Sequence, residues 1–230
     1  MFYCHCTAAT KTGMRENNHD NYFINGVYNQ QSHTDCQDTI VCESGRALFA
    51  VSDGMGGEKF GDAASYTISK QLGEIYNKTT HLNQVDVQLA LERANEEMQT
   101  RMEQERLGQI GSTVVTLLIA DEKVYISNLG DSPAFLYRNG KLTQITHDHT
   151  EGQAMLEAGV LSIDQLKVHP SKNRLTRFIG MLSDGFLFET EQYEPIVPTD
   201  NDILLLCSDG VSGVLSSDEI KVLLCGQKLA

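Results

Sequence analysis

The chain is short of positive charge: 18 lysines and arginines stand against 31 aspartates and glutamates, a formal net charge of −13. That balance argues against nucleic acid or an anionic membrane surface as a partner, because the phosphates of either would repel it. Long apolar runs are missing too. No stretch could span a bilayer, and Met1-Phe2-Tyr3-Cys4-His5-Cys6 has no cationic region followed by an apolar segment, so the expectation is a cytoplasmic protein. In that compartment Cys4, Cys6, Cys36, Cys42, Cys207 and Cys225 are expected to be reduced thiols. Cys4-His5-Cys6 has no companion pair at zinc-like spacing, which argues against a structural zinc. Repeats, low-complexity segments and linkers are absent as well. With 40% of its 230 residues hydrophobic, the chain fits one domain over residues 1–230.

What the chain does have is three hydrophobic runs that each end beside an aspartate and a glycine. Ala47 to Val51 precedes Ser52-Asp53-Gly54, Val124 to Leu129 precedes Gly130-Asp131, and Ile203 to Cys207 precedes Ser208-Asp209-Gly210. A β-branched and leucine-rich run reads as a largely buried strand, and an acid where it stops has left the core on a rigid backbone. Such acids suit hard divalent cations, which prefer carboxylate, carbonyl and water oxygens. The neighbouring glycine lets the chain turn sharply and its carbonyl approach an ion. A single Asp-Gly is usually a turn after a strand; three in one chain are harder to explain that way. Clustered acids alone do not distinguish a structural ion from a catalytic one.

Between these landmarks, two short strands from Phe2 to Asn25 flank the polar turn Thr12 to Asp20, and Tyr28 to Glu43 reads as an exposed loop. After the glycine-rich turn Gly54-Met55-Gly56-Gly57, Ala64, Ile68, Leu72 and Ile75 mark one helix face, and Val87, Leu91, Ala94 and Met98 mark a second. A β meander follows: 113–120, 124–129, 134–137 and 142–145, with Asn139-Gly140 as the hairpin signal between the last two. A short helix is expected near Glu151 to Ala158, then a polar excursion, then strands at 174–179, 186–193 and 203–207. Ser216-Ser217-Asp218-Glu219 opens a final helix. The expected class is α+β, with sheets packed on each other and covered by helices.

Seven segments, in order, resemble the metal-dependent protein serine/threonine phosphatases of the 2C type, the PPM family, most closely its bacterial members. They are Gly13 to Asp20, Phe49 to Gly57, Gly111 to Thr113, Asn128 to Ser132, Thr146 to His149, Leu175 to Gly180 and Cys207 to Gly210. The resemblance implies a four-layer αββα sandwich with two mainly antiparallel sheets flanked by helix pairs. It also implies two Mn2+ or Mg2+ ions, with room for a third, at one end of the sheets. By that analogy Asp53 bridges both ions, the Gly54 carbonyl binds one and Asp209 the other. Asp20 holds a water of the ions' shell, Asp131 serves the third, looser ion with Asp209, and Arg15 grips the substrate phosphate. Catalytic roles fall to Arg15, Asp20 and Asp53. The implied reaction is hydrolysis of phosphoserine and phosphothreonine in proteins by a water or hydroxide between the ions, with no protein nucleophile. The implied partners are a phosphorylated protein substrate and a cognate serine/threonine kinase or its targets; no nucleic acid and no membrane are implied.

His19 departs from the Glu or Gln usual in the family. Met55 stands where eukaryotic members place a histidine thought to protonate the leaving group, so no general acid is assigned, and Pro133 replaces the Arg common after Asp-Ser. The family's later Asp-Asn-x-Thr strand has no counterpart before Ala230, so the expectation is a domain truncated at that strand, with one carboxylate fewer and an unpaired sheet edge. Two other readings follow. One is a regulatory phosphatase dedicated to a stress-response switch; the other is a catalytically impaired phosphatase-like domain that binds a phosphoprotein. Haloacid-dehalogenase-type phosphatases are excluded, because no Asp-x-Asp-x-Thr/Val motif follows a strand.

Overall fold

The computed structural model describes residues 4–30, 35–42, 45–56, 60–181 and 188–226. Phe2 at the start of the first expected strand, Glu43, Gly57 of the glycine-rich turn and the 186–187 start of another expected strand lie outside them.

Strand β1 (Cys4–Thr10) leads through the polar loop to β2 (Asp20–Ile24), β3 (Val27–Tyr28), β4 (Cys36–Cys42) and β5 (Ala47–Met55). Helices α1 (Gly61–Lys78) and α2 (Gln84–Glu105) follow. The Asn83 side chain and the Asp86 carboxylate cap α2 reciprocally, satisfying amides that have no partner within the helix. Next come β6 (Gly111–Ser112), β7 (Val114–Ala120), β8 (Lys123–Leu129), β9 (Ala134–Arg138) and β10 (Lys141–Gln144). Asn139 and Gly140, at φ of 52° and 79°, make the expected tight hairpin. Helix α3 (Glu151–Glu157), helix α4 (Ile163–Val168) and a 3-10 turn (Pro170–Asn173) precede β11 (Glu191–Gln192), β12 (Ile203–Leu206), α5 (Asp209–Ser212) and α6 (Ser217–Gly226). Ser216 and Glu219 cap α6 as the sequence suggests.

The largest sheet runs β11-β8-β7-β5-β2-β3, with β6 on the end of β5, and every pairing is antiparallel. Side chains alternate across it. On one face Phe23, Leu48, Ala50, Val114 and Leu118 pack against Ile68, Leu72, Leu91 and Met98 of α1 and α2. On the other, Tyr22, Ile24, Phe49, Val115 and Leu117 meet Cys4 and Cys6 of β1 and Leu204 and Leu206 of β12. Two smaller sheets, β1-β4 and β10-β9-β12, form that second layer, and α6 lies beside β10. An α+β sandwich of packed antiparallel sheets results, as expected.

Three local expectations are corrected. Residues 36–42, read as loop, form β4, because Cys36, Asp38, Ile40 and Cys42 face inward opposite β1 while Gln37, Thr39 and Val41 face out. Residues 174–179 are not a strand. Leu175 and Ile179 make only isolated bridges, to Thr150 and Ser112. Within 188–193 only Glu191–Gln192 pairs as strand. The polar excursion after α3 contains α4 and the 3-10 turn, and its Ser162 and Gln165 form a capping box.

Candidate functional site

Register brings the acids together. Asp20 and Asp53 are direct partners across β2 and β5, so both carboxylates leave the same face of the sheet. Asp131 lies three residues before Ala134 and Asp209 three residues after Leu206, and Ala134 and Leu206 are partners across β9 and β12. The Cys207 N–H donates to the Pro133 carbonyl at 3.2 Å, extending that register toward the acids. The two sheets are tied to each other at this end. Ser208 Oγ donates to Asp20 Oδ2 at 2.6 Å, joining residues 188 positions apart.

The backbone of Asp53 is held on both sides. Its carbonyl accepts from the Thr113 N–H and Ser112 Oγ, each at 2.9 Å, and its N–H donates to Thr113 Oγ1 at 3.2 Å. Thr113 Oγ1 also meets Ser132 Oγ at 2.6 Å, next to Asp131. These contacts explain why Gly111-Ser112-Thr113 belongs to the site although it carries no acid.

Gly54 does not turn the chain, because β5 continues to Met55. What requires glycine is the start of α1: a Cβ on Gly54 would collide with the Gly61 carbonyl and lie 2.8 Å from the His19 carbonyl. His19 faces away from the acids. Its carbonyl accepts from the Gly54 N–H and Ser65 Oγ and its ring packs against Gly61, where Nε2 is buried without a hydrogen-bond partner among the described residues. Gly130 has φ +112°, and a Cβ there would meet the Thr113 Cβ at 2.6 Å.

Crowding shapes the electrostatics. Burial, then the charges of Asp20 and Asp209 and a hydrogen bond with Asp209, pushes the Asp53 pKa up to about 9. Asp20 is raised mainly by burial and by Asp209, although bonds from Ser208 and Asp53 and the charge of Arg15 oppose the rise. Burial and the charges of Asp148 and Asp209 push Asp131 up to about 6. Asp148, in turn, is raised mainly by burial, against a hydrogen bond from Gln144. Carboxyl groups in hydrogen-bond contact must share a proton, and a cation can take over that neutralising role.

Among the described residues no group of three or more acid, histidine or thiol side chains stands as a ready-made ligand cage. The donor chemistry nonetheless fits a hard cation: all oxygen, strongly anionic, and gathered at one end of the sheets. Arg15 is exposed on the β1–β2 loop, near enough to Asp20 to favour its charged form. That loop is braced by Asn18, which donates to Thr10 Oγ1 at 2.7 Å and accepts from the Asp20 N–H at 3.1 Å.

The structure thus places Asp20, Asp53, Asp131 and Asp209 at one site with Gly54 and Arg15 beside it. Sequence reasoning gave no role to Ser208, Asp148 or His149. Ser208 stood in plain view within Ser-Asp-Gly, and Asp148 and His149 within Thr146-His147-Asp148-His149.

Comparison with known proteins bears on the family and the fold. The family model described as protein phosphatase 2C matches residues 25–224. The serine/threonine phosphatase stp of Listeria monocytogenes serotype 4b (strain F2365) is 33% identical over 184 residues, covering 77% of this chain and 71% of the relative. Among solved structures, the Mycobacterium tuberculosis serine/threonine phosphatase PstP/Ppp superposes with a TM-score of 0.74 at 25% identity, over 96% of this chain and 84% of that one. The catalytic domain of PstP in complex with two manganese ions gives the same TM-score of 0.74 at 24% identity, over 96% and 83% of the two chains, and shares the fold. A matched segment that runs from the end of β2 through Asp53, Asp131 and Asp209, joined to a shared fold and a relative one-third identical, leaves one assignment: the chain belongs to the protein phosphatase 2C family.

Proposed function

We propose that the chain removes phosphate from phosphoserine and phosphothreonine in proteins at this acid cluster, in a reaction that depends on Mn2+ or Mg2+. The observation that carries the reading is the cross-strand pairing of Asp20 with Asp53, joined by the 2.6 Å bond from Ser208 Oγ to Asp20 Oδ2 to the segment that carries Asp209. When bound, such ions activate water at neutral pH and neutralise charge on the phosphoryl oxygens.

The chain's own groups fill the remaining roles. Asp53 would serve both ions, with the Gly54 carbonyl and Asp209 each helping to hold one. Asp20, fixed by Ser208 Oγ, is placed to accept a hydrogen bond from the attacking water and orient it. Asp131, whose carboxyl feels the charges of Asp209 and Asp148, would help to hold a third, looser ion. The Arg15 guanidinium offers two parallel donors that match a phosphate edge. No protein nucleophile is required.

Substrate phosphoproteins of this kind are products of serine/threonine kinases, so the reading places the chain opposite such a kinase. Among the described residues no helix is long and apolar enough to cross a membrane. The continuous sandwich supports reading the chain as one phosphatase domain.

The test is hydrolysis of a phosphothreonine peptide with Mn2+ and with excess chelator. Turnover that appears with Mn2+ and disappears with chelator is expected. Chelator-resistant turnover would overturn the mechanism, and Mn2+ binding without turnover would favour the phosphoprotein-binding alternative.

A further inference from the structure

His149 holds both backbone polar groups of the residue that precedes Asp131. Its N–H donates to the Gly130 carbonyl at 3.0 Å, and its ring Nδ1 accepts from the Gly130 N–H, also at 3.0 Å. An amide N–H can only donate, so Nδ1 is unprotonated and the proton of the neutral ring sits on Nε2. There Glu191 Oε2 lies 2.7 Å away as acceptor. Glu191 is fixed in turn by the pairing of β11 with β8, and His147 Nδ1 lies 3.4 Å from its other oxygen. Arg177 brings a guanidinium nitrogen to 3.5 Å from Nε2, a neighbour that disfavours a charged ring. Among the described residues, Glu191, Arg177 and His147 are the charged or titratable groups that face the imidazole.

Gly130 cannot be held by a side chain of its own, because its φ of +112° and the nearby Thr113 leave no room for a Cβ. The direction in which the chain enters Asp131 therefore depends on what grips Gly130 from outside. Asn128 Nδ2 adds one longer contact to the Gly130 carbonyl, at 3.3 Å. Among the described residues, only the histidine ring engages the N–H.

We propose that His149, oriented by Glu191, is a positioning residue that clamps Gly130 and so aims the Asp131 carboxylate at Asp209 and Asp148. His149 acts through Gly130 and lines no part of the acid cluster itself. The proposal rests on the reading of Asp131 as a cation ligand only for its effect on metal binding; the clamp can be tested without metal.

Two variants separate its halves. His149→Asn keeps an acceptor near the Nδ1 position and loses the donor to Glu191, whereas His149→Gln keeps the reach to Glu191 and loses the acceptor for Gly130. Hydrogen exchange of the Gly130 amide, read by NMR in chelator, is the first measurement; Mn2+ binding by calorimetry is the second. A lost hydrogen bond of about 1 kcal/mol corresponds to roughly a fivefold change. His149→Gln should therefore speed Gly130 exchange about fivefold or more and weaken the weakest Mn2+ step by a similar factor. His149→Asn, which keeps the acceptor and loses only the Glu191 anchor, should show a smaller change on both, about twofold. On p-nitrophenyl phosphate, the Gln variant should lower kcat at fixed Mn2+ with KM little changed. Equal losses in both variants, or parent-like Gly130 exchange in the Gln variant, would overturn the clamp. If neither variant folds, Glu191→Ala replaces them: faster Gly130 exchange supports the clamp, and unchanged exchange overturns it. Absence of Mn2+ binding by the parent would instead count against the phosphatase reading and leave the exchange result standing.

Discussion

Asp20 and Asp53 face each other across β2 and β5, so their carboxyl groups leave the same face of the sheet at a site where burial alone already disfavours charge. Two acids held so close repel each other when both are ionised, and the backbone grip of Ser112 and Thr113 prevents Asp53 from moving away. The arrangement is a local cost to the fold that a cation would offset.

That cost predicts opposite effects of one substitution on stability and activity. Asp53→Asn is neutral without having to take up a proton on folding and keeps the shape of the acid, so in chelator the variant should melt higher, on the order of 1 kcal/mol or roughly 2–4 °C for a chain of this length. Its turnover should fall by orders of magnitude, and added Mn2+ should raise its melting temperature far less than that of the parent. Thermal melts with and without Mn2+ check this. A variant that melts lower in chelator would refute the repulsion argument.

Arg15 is expected to act on binding more than on chemistry. It is exposed and contacts the chain through its backbone N–H to the Thr12 carbonyl, so Arg15→Ala should leave the fold intact. KM for a phosphopeptide should rise about tenfold while kcat stays within about threefold. Steady-state kinetics at saturating Mn2+ decide the point. A fall in kcat with KM unchanged would move Arg15 into the transition state alone.

Much of this was legible in the residues because period and polarity agreed. β5, β7 and β8 are apolar runs, α1 and α2 keep their apolar faces in step, and the Asn139-Gly140 turn is dictated by backbone sterics. Strand β4 was hidden because polarity does not alternate there. Asp38 turns inward to hydrogen-bond the Tyr22 hydroxyl, while Val41 faces out at 53% exposed. Residues 174–179 have a strand-like composition but no continuous partner. Their amides are used one at a time, Thr176 to the His149 carbonyl and Ile179 to that of Ser112. The acids themselves were found by motif, but their meeting was a matter of register, which depends on contacts between distant segments. Ser208, Asp148 and His149 act on other site residues, and no local pattern announces such a role.

The glycines beside two of the acids should differ in tolerance. A Cβ on Gly54 has no room between the Gly61 and His19 carbonyls, and both are backbone atoms that cannot swing aside. Gly54→Ala should lose several kcal/mol, about 3 or more, and yield little folded protein. At Gly210 an added Cβ would sit 3.4 Å from Ser208 Oγ and 4.0 Å from Asp20 Oδ2, ordinary contact distances. Gly210→Ala should therefore fold and melt within a degree or two of the parent. Circular dichroism melts of the pair check the contrast, and a well-folded Gly54→Ala protein would show that α1 can shift.

Acid should loosen the His149 anchor, and the sign follows from two groups. Burial, aided by Arg177 and opposed by the bond to Glu191, holds the His149 pKa below its ordinary 6.5. The unfolded chain therefore binds the proton first as pH falls, and the stability that this residue contributes is present above about 6.5 and lost below it. Glu191 acts in the same direction at lower pH. Although burial would raise its pKa, the bond and charge of His149 and the charge of His147 bring it below 4.5, so its contribution is present above 4.5 and lost as pH falls through the depressed value. The acids of the cluster act with the opposite sign, since their raised values favour the folded state as they protonate. A single melting curve against pH would mix the two effects, and the difference between proteins separates them. His149→Asn removes the ionising ring, so between pH 7 and 5 in chelator its melting temperature should respond less unfavourably to acid than that of the parent. Parallel curves for the two proteins would show that the ring is not protonated preferentially in the unfolded chain.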